Sequence, residues 1–201
     1  PVKTVQHESI WHSLREGIAY VFKTKIILYS ISLDLFSVLF GGVIAILPIF
    51  AEDILKVGAE GLGILRAAPS VGAVVTMVTL VYFPPLKHAW RNLILAIAGF
   101  GVATLIFGVS TNFWISVVAL FFTGAFDSIS VVNRQTVLRF YTPDEMRGRV
   151  SSVNGVFVST SNEMGAFESG VAAKFFGTVP SVLLGAGVTL VLVSLVALTS
   201  K

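Results

Sequence analysis

No cysteine occurs in this chain, and that absence removes disulfides, thiolate metal sites and sulfur nucleophiles together. Charge is scarce too: Asp, Glu, Lys and Arg make up 12% of 201 residues, too little to cover a water-soluble globule of this size. Catalytic signatures are missing as well. There is no paired-histidine metalloprotease helix, no Gly-x-Ser-x-Gly elbow and no phosphate loop ending in Gly-Lys-Ser/Thr, and Gly61-Leu62-Gly63 and Gly99-Phe100-Gly101 lack the rest of a dinucleotide fingerprint. All three histidines, His7, His12 and His88, fall in polar segments away from the buried-looking carboxylates. No enzyme, catalytic residue, cofactor or metal is therefore expected. The chain opens at Pro1 with a polar stretch lacking the charged, apolar and small-residue regions of a leader, which reads as a fragment or processed piece.

What is abundant is apolar sequence: 55% of residues are hydrophobic and the mean hydropathy is +0.87. The apolar residues collect in runs close to the ~20 residues needed to cross a bilayer. Six such runs predict spans over 26–50, 62–83, 93–109, 113–138, 150–176 and 181–198. They are continuous, not alternating at period two, which argues for helices over a barrel. Pro84-Pro85 ends the second run by removing backbone donors. Ahead of them, His7 to Lys25 mixes Trp11, Leu14, Ile18 and Phe22 with Arg15, Glu16, Lys23 and Lys25 at helical spacing, an amphipathic lead-in for the membrane surface. The expected organisation is a linker and lead-in over 1–25 and a six-helix membrane domain over 26–201.

Six spans put both ends on one side. Eleven of the 14 basic residues then share that side: Lys3, Arg15, Lys23, Lys25, Lys87, Arg91, Arg134, Arg139, Arg147, Arg149 and Lys201. Lys56 and Lys174 lie opposite. The bias predicts cytoplasmic termini, and it explains the net charge of +3 by topology, with no nucleic-acid partner.

Polar groups within the runs are uneven. The third and sixth runs hold little beyond Thr104, Thr189 and Ser194, whereas the others carry Asp34, Arg66, Asp127, Arg134, Glu163 and Glu168. An ionisable group costs roughly 2.5–3.5 kcal/mol at the centre of a membrane helix, so these residues are expected to face a protein interior or a wet cavity, with four helices lining a path and two acting as scaffold. In the fourth run Asp127, Ser130 and Arg134 share a face, suggesting an ion pair closing the inner mouth, or else a static pair orienting the helix or Arg134 snorkelling to the headgroups. Asp34 lies about 12 Å into the first run at ~1.5 Å per residue, as a buried protonatable group or a packing hydrogen bond. Arg66 sits close to its run's outer end, where snorkelling and anion binding are both open. The fifth run is the most polar. Asn154, Ser161 and Glu168 recur every seven residues, Asn162 and Glu163 stand between them, and Ala166 and Gly170 offer a small-xxx-small surface. Its hydroxyls and amides either bond neighbouring helices or wet a path.

The six runs, the polar lead-in and the segment Thr142-Pro143-Asp144-Glu145-Met146-Arg147-Gly148-Arg149-Val150, continuing to Gly155, together resemble the C-terminal six-helix half of a major facilitator superfamily transporter. The basic segment looks like the loop before the eleventh helix in the enterobactin-exporter-like and macrolide-efflux-like branch, and Ser161 to Gly170 is a second similarity. The chain departs from the family where Phe83 to Arg91 keeps only Lys87 and Arg91 of a more basic loop pattern.

The resemblance implies two inverted three-helix repeats packed against an N-terminal six-helix half, in a bacterial inner membrane. With the buried acids it points to a proton-coupled antiporter that exports a small siderophore-like or drug-like substrate. The expected substrate or proton pathway is Asp34, Arg66, Asp127, Arg134, Asn162, Glu163 and Glu168, with Arg147 and Arg149 in a cytoplasmic gate loop. The alternative is a scaffold or sensor module derived from a transporter fold.

Overall fold

A computed structural model of the protein describes residues 10–83 and 88–199. Pro84-Pro85 and the basic positions Lys3, Lys87 and Lys201, with His7, lie outside the described residues. Helices α1 (Ile10–Lys23), α2 (Lys25–Gly41), α3 (Leu47–Ile49), α4 (Gly58–Tyr82), α5 (Ala89–Val109), α6 (Phe113–Tyr141), α7 (Arg147–Phe176) and α8 (Thr178–Thr199) account for most of the described chain.

Among the described residues, five segments are long and apolar enough to cross a membrane: Lys25–Ile54, Gly58–Tyr82, Ala89–Val109, Phe113–Tyr141 and Thr178–Leu198. Helix α7 is the exception. Its 30 residues would extend ~45 Å, more than a ~30 Å hydrocarbon core requires, but its polar content keeps it out of the set. The all-helical membrane class expected from the sequence holds, with five apolar spans and one long polar helix.

The first expected span is not one continuous helix. Helix α2 stops at Gly41, and Gly42 is extended (φ −72°, ψ 109°). A 3-10 turn over Ile44–Ile46, the short α3 and a π-helical turn over Phe50–Ile54 follow. Paired glycines weaken the helix at this point, and Pro48 removes a further donor. The Gly42 carbonyl, left without a helical partner, accepts a hydrogen bond of 2.7 Å from the Ser169 hydroxyl on α7.

Close helix contacts follow from small residues, since lipid tails offer no hydrophobic drive for helices to meet and van der Waals fit decides. A Cβ on Gly124 of α6 would collide with the Pro69 backbone of α4, and one on Gly72 of α4 with the Phe121 carbonyl. Helix α2 is wedged in the same way. Its Val38–Leu39 backbone lies against Gly165 of α7, and its Phe40 carbonyl against Gly185 of α8. The small surface expected from Ala166 and Gly170 is not the one used: Gly170 faces open space, and Gly165, one residue away on a different face, makes the contact.

Three apolar clusters follow. One joins Val43, Ile46, Leu47, Phe50, Leu65, Phe107 and Leu120, with the Phe50 and Phe107 rings 4.5 Å apart. A second, at the opposite end, joins Val21 of α1 to Ile27, Ile31, Leu138, Val150 and Val153. A third joins Leu33, Leu93, Ile97 and Val193. Helix α1 is thus docked on the bundle by one face, while Trp11 and Phe22 remain exposed.

Candidate functional site

Between the clusters lies a polar centre built by α2 and α6. Asp34 is 4% exposed and Arg134 3%, and the Arg134 Nη1 forms an ion pair with Asp34 Oδ2. The Ser130 hydroxyl donates to Asp34 Oδ1 at 3.1 Å. Ser130 and Arg134 are four residues apart, so both reach the same carboxylate from one face of α6. A buried carboxylate held by a guanidinium and a hydroxyl has its lone pairs occupied, and such satisfaction is what makes a buried charge tolerable.

This pairing corrects the expected one. Arg134 was expected to pair with Asp127, but seven residues of helix separate the two by about 10.5 Å of rise, and the carboxylate within reach is on the neighbouring helix. Asp127 stands instead at a boundary. It lines a cavity of about 140 Å³ with Val38, Gly41, Gly42, Pro69, Thr123 and Asn162, and also a void of about 10 Å³ bounded by Asp34, Ser37 and Ser130. The void is about the smallest that holds a single water. Asp127 therefore separates the open cavity from the ion pair, with Val38 and Phe100 shared by both spaces.

The break in α2 lies on the same cavity: Gly41, Gly42, Val43 and Ile44 all line it. Non-helical backbone at membrane depth is tolerated where it is buried in protein or borders water. Arg134 Nε and Asn133 Oδ1 are buried without a hydrogen-bond partner, as is Asn154 Oδ1 on α7. Unmet capacity beside the ion pair leaves positions for water or for an alternative partner of the guanidinium.

The other expected site residues are dispersed. Asn162 borders the cavity and is exposed, as is Glu163, while Glu168 is half-buried. Arg66 is exposed on α4 and is not brought to the Asp34 cluster. Arg147 pairs with Asp144 at 2.8 Å. Arg149 pairs with Glu16 of α1 and lies 3.6 Å from the Met146 sulfur, so it ties the lead-in helix to the start of α7. The Tyr20 hydroxyl adds a bond of 2.7 Å to the Tyr141 carbonyl.

Most hydroxyls turn back on their own helix. Ser30, Ser37, Thr123 and Ser161 donate to carbonyls three or four residues earlier. Ser130 and Ser169 instead bond a neighbouring element. Ser130, Gly42 and Ser169 carry more of the site than sequence reasoning assigned them; the Ser130–Arg134 spacing and the Gly41-Gly42 pair were the available signals. No group of three or more His, Asp or Glu suited to a metal is present among the described residues.

A family model described as "transmembrane secretion effector" matches residues 1–201. No curated protein matches the chain, and no solved structure does.

Proposed function

Because this chain belongs to the transmembrane secretion effector family of major facilitator transporters, we propose that it is one six-helix half of a proton-coupled exporter of small amphipathic molecules. In this reading α7 is the sixth crossing. Its exposed polar face, Asn162 and Glu163 included, turns toward the central path and an N-terminal six-helix half. The termini lie in the cytoplasm of a bacterial inner membrane, residues 1–25 serve as linker and lead-in, and the chemistry is transport without catalysis or cofactor.

The observation that carries the reading is Asp127 standing between an open cavity and a buried Asp34–Arg134 pair that joins two helices. A proton entering by the cavity meets Asp127 first. Passed through the small void to Asp34, it neutralises the carboxylate and removes the partner of Arg134. The guanidinium then draws on its unmet capacity, and α2 and α6 are free to part. A proton biases the two states only by the difference in its affinity for them, and the ion pair supplies that difference, because it exists in one arrangement and not the other.

The test uses the full-length transporter in inverted vesicles with a pH-sensitive dye, scanning siderophores against hydrophobic drugs. A substrate-dependent collapse of the gradient that Asp127→Asn reduces at least ~10-fold, about 1.4 kcal/mol on the coupling step, supports the reading. Full gradient-driven transport by both Asp34→Asn and Asp127→Asn would overturn it. Silence towards every compound by folded wild-type protein would favour a non-transporting module.

A further inference from the structure

The break in α2 leaves a backbone acceptor unused. Residues 42 and 43 belong to no helix or turn, so the carbonyl of the buried Gly41 accepts no hydrogen bond from the residues that follow it, and none reaches it from elsewhere among the described residues. A buried carbonyl without a partner is uncommon, and at membrane depth it is tolerated only where another group meets it. Gly41 is also the last residue of α2, whose final turn holds no basic side chain. The negative end of the helix dipole is therefore unopposed there.

Asp127 lines the same cavity. Its carboxylate takes part in no hydrogen bond or ion pair among the described residues, and its oxygens are not sealed in as Asn133 Oδ1 and Asn154 Oδ1 are. Asp34, across the small void, has its charge balanced by Arg134. Among the described residues no Lys, Arg or His lines the cavity. A carboxylate and a helix C-terminus thus share about 140 Å³ with no protein cation between them. One uncompensated negative charge does not make the cage of several carboxylates that Ca²⁺ takes, and no group of three or more acids is present among the described residues. A single carboxylate with neutral oxygens suits a monovalent ion, and unwound carbonyls with half-helix C-termini are the groups that hold Na⁺ in membrane transporters. Asn162 adds an amide at the open side, and the Gly42 carbonyl, bonded once by Ser169, keeps a second lone pair. The volume is about four to five times the ~30 Å³ of a liquid water, room for an ion that retains part of its water shell.

We propose that this cavity binds Na⁺, held by the Asp127 carboxylate and the Gly41 carbonyl, with the Asn162 amide oxygen and retained water completing the shell. The ion joins the broken end of α2 to the middle of α6. Its access to the cavity rests on the transport reading; its binding does not require that any compound be moved.

The experiment takes the full-length protein in maltoside micelles and follows thermal unfolding while NaCl is titrated against choline chloride of matched ionic strength. A ligand of the folded state raises the midpoint by mass action, so Na⁺ should raise it and choline, whose charge is covered by methyl groups, should not. Asp127→Asn should weaken the binding fitted to these shifts at least ~10-fold and Asn162→Leu severalfold, as expected for losing a charged and a neutral ligand. Glu145→Gln, which removes an exposed acid from the loop before α7, should respond like wild type. In choline alone Asp127→Asn should unfold at or above the wild-type temperature, because it removes an uncompensated charge; a clear fall would show that the carboxylate has a protein partner and would overturn the proposal. Equal midpoints in the two salts, or a Na⁺ response that Asp127→Asn keeps, would overturn it as well. Equal midpoints beside proton-driven transport in Na⁺-free buffer would remove the ion and leave the transport reading, whereas a Na⁺ response from a protein that moves no compound would keep the ion site and remove the transport reading.

Discussion

Removing one partner of the buried pair should be far worse than removing both. In Asp34→Asn the Arg134 guanidinium keeps its charge, 3% exposed, and loses the carboxylate it is paired with. Breaking a buried pair in this way costs about 3–5 kcal/mol, whereas replacing both charges by groups of similar size is near neutral or stabilising. For a chain of this length ~1 kcal/mol moves the unfolding midpoint by about 2–4 °C. Each of Asp34→Asn and Arg134→Met should therefore lower it by about 6–20 °C, and the double variant should recover most of the loss. Ser130→Ala should cost less, about 0.6 kcal/mol, the average for hydrogen bonds between membrane helices.

The assay is a double-mutant cycle on thermal unfolding of purified protein in detergent, with transport measured in parallel. A recovered midpoint with no transport separates the pair's structural role from its coupling role. Losses that simply add in the double variant would refute the reasoning, since additive effects are the signature of groups that do not interact.

Three further outcomes follow from packing. Gly124→Ala should push α4 from α6 and cost about 1–3 kcal/mol, the range for overpacking, whereas Gly155→Ala, whose Cβ meets open space, should be neutral or stabilising by up to ~1 kcal/mol through helix propensity; unfolding midpoints of the two distinguish them. Ser169→Ala leaves the Gly42 carbonyl without its side-chain donor, and should loosen the break in α2 enough for a cysteine placed at position 42 to label faster. Glu16→Gln removes one side of a partly exposed pair worth no more than ~1 kcal/mol, so tryptic cleavage within α1 should accelerate by up to about fivefold in low salt, with the difference shrinking as salt is raised.

Much of the fold could be read from the sequence because the bilayer imposes a length on apolar runs. The expected spans at 93–109, 113–138 and 181–198 each lie within an observed helix that runs zero to four residues further at either end. The break after Gly41 escaped because hydropathy does not sense backbone hydrogen bonding: Val43 to Phe50 remains apolar while its helix is interrupted. Likewise 150–176 was counted as a span with the other runs although polar residues interrupt it, and the low hydropathy of α7 is the mark of a helix with a second, wetter face.

The candidate site was half legible for a related reason. Spacing along one helix places Ser130 and Arg134 on a common face, and it did so correctly, but it carries no information on which neighbour that face meets. Asp34 and Arg134 are a hundred residues apart, and their meeting depends on how α2 is seated against α7 and α8 at Gly165 and Gly185, and α6 against α4 at Gly72 and Gly124. The same crossings give the site its mechanical character. Backbones that touch through glycine cannot compress further, so neutralising Asp34 cannot be absorbed by small adjustments around it. On the proposed reading the helices then slide or part as bodies, the response that coupling to one proton requires.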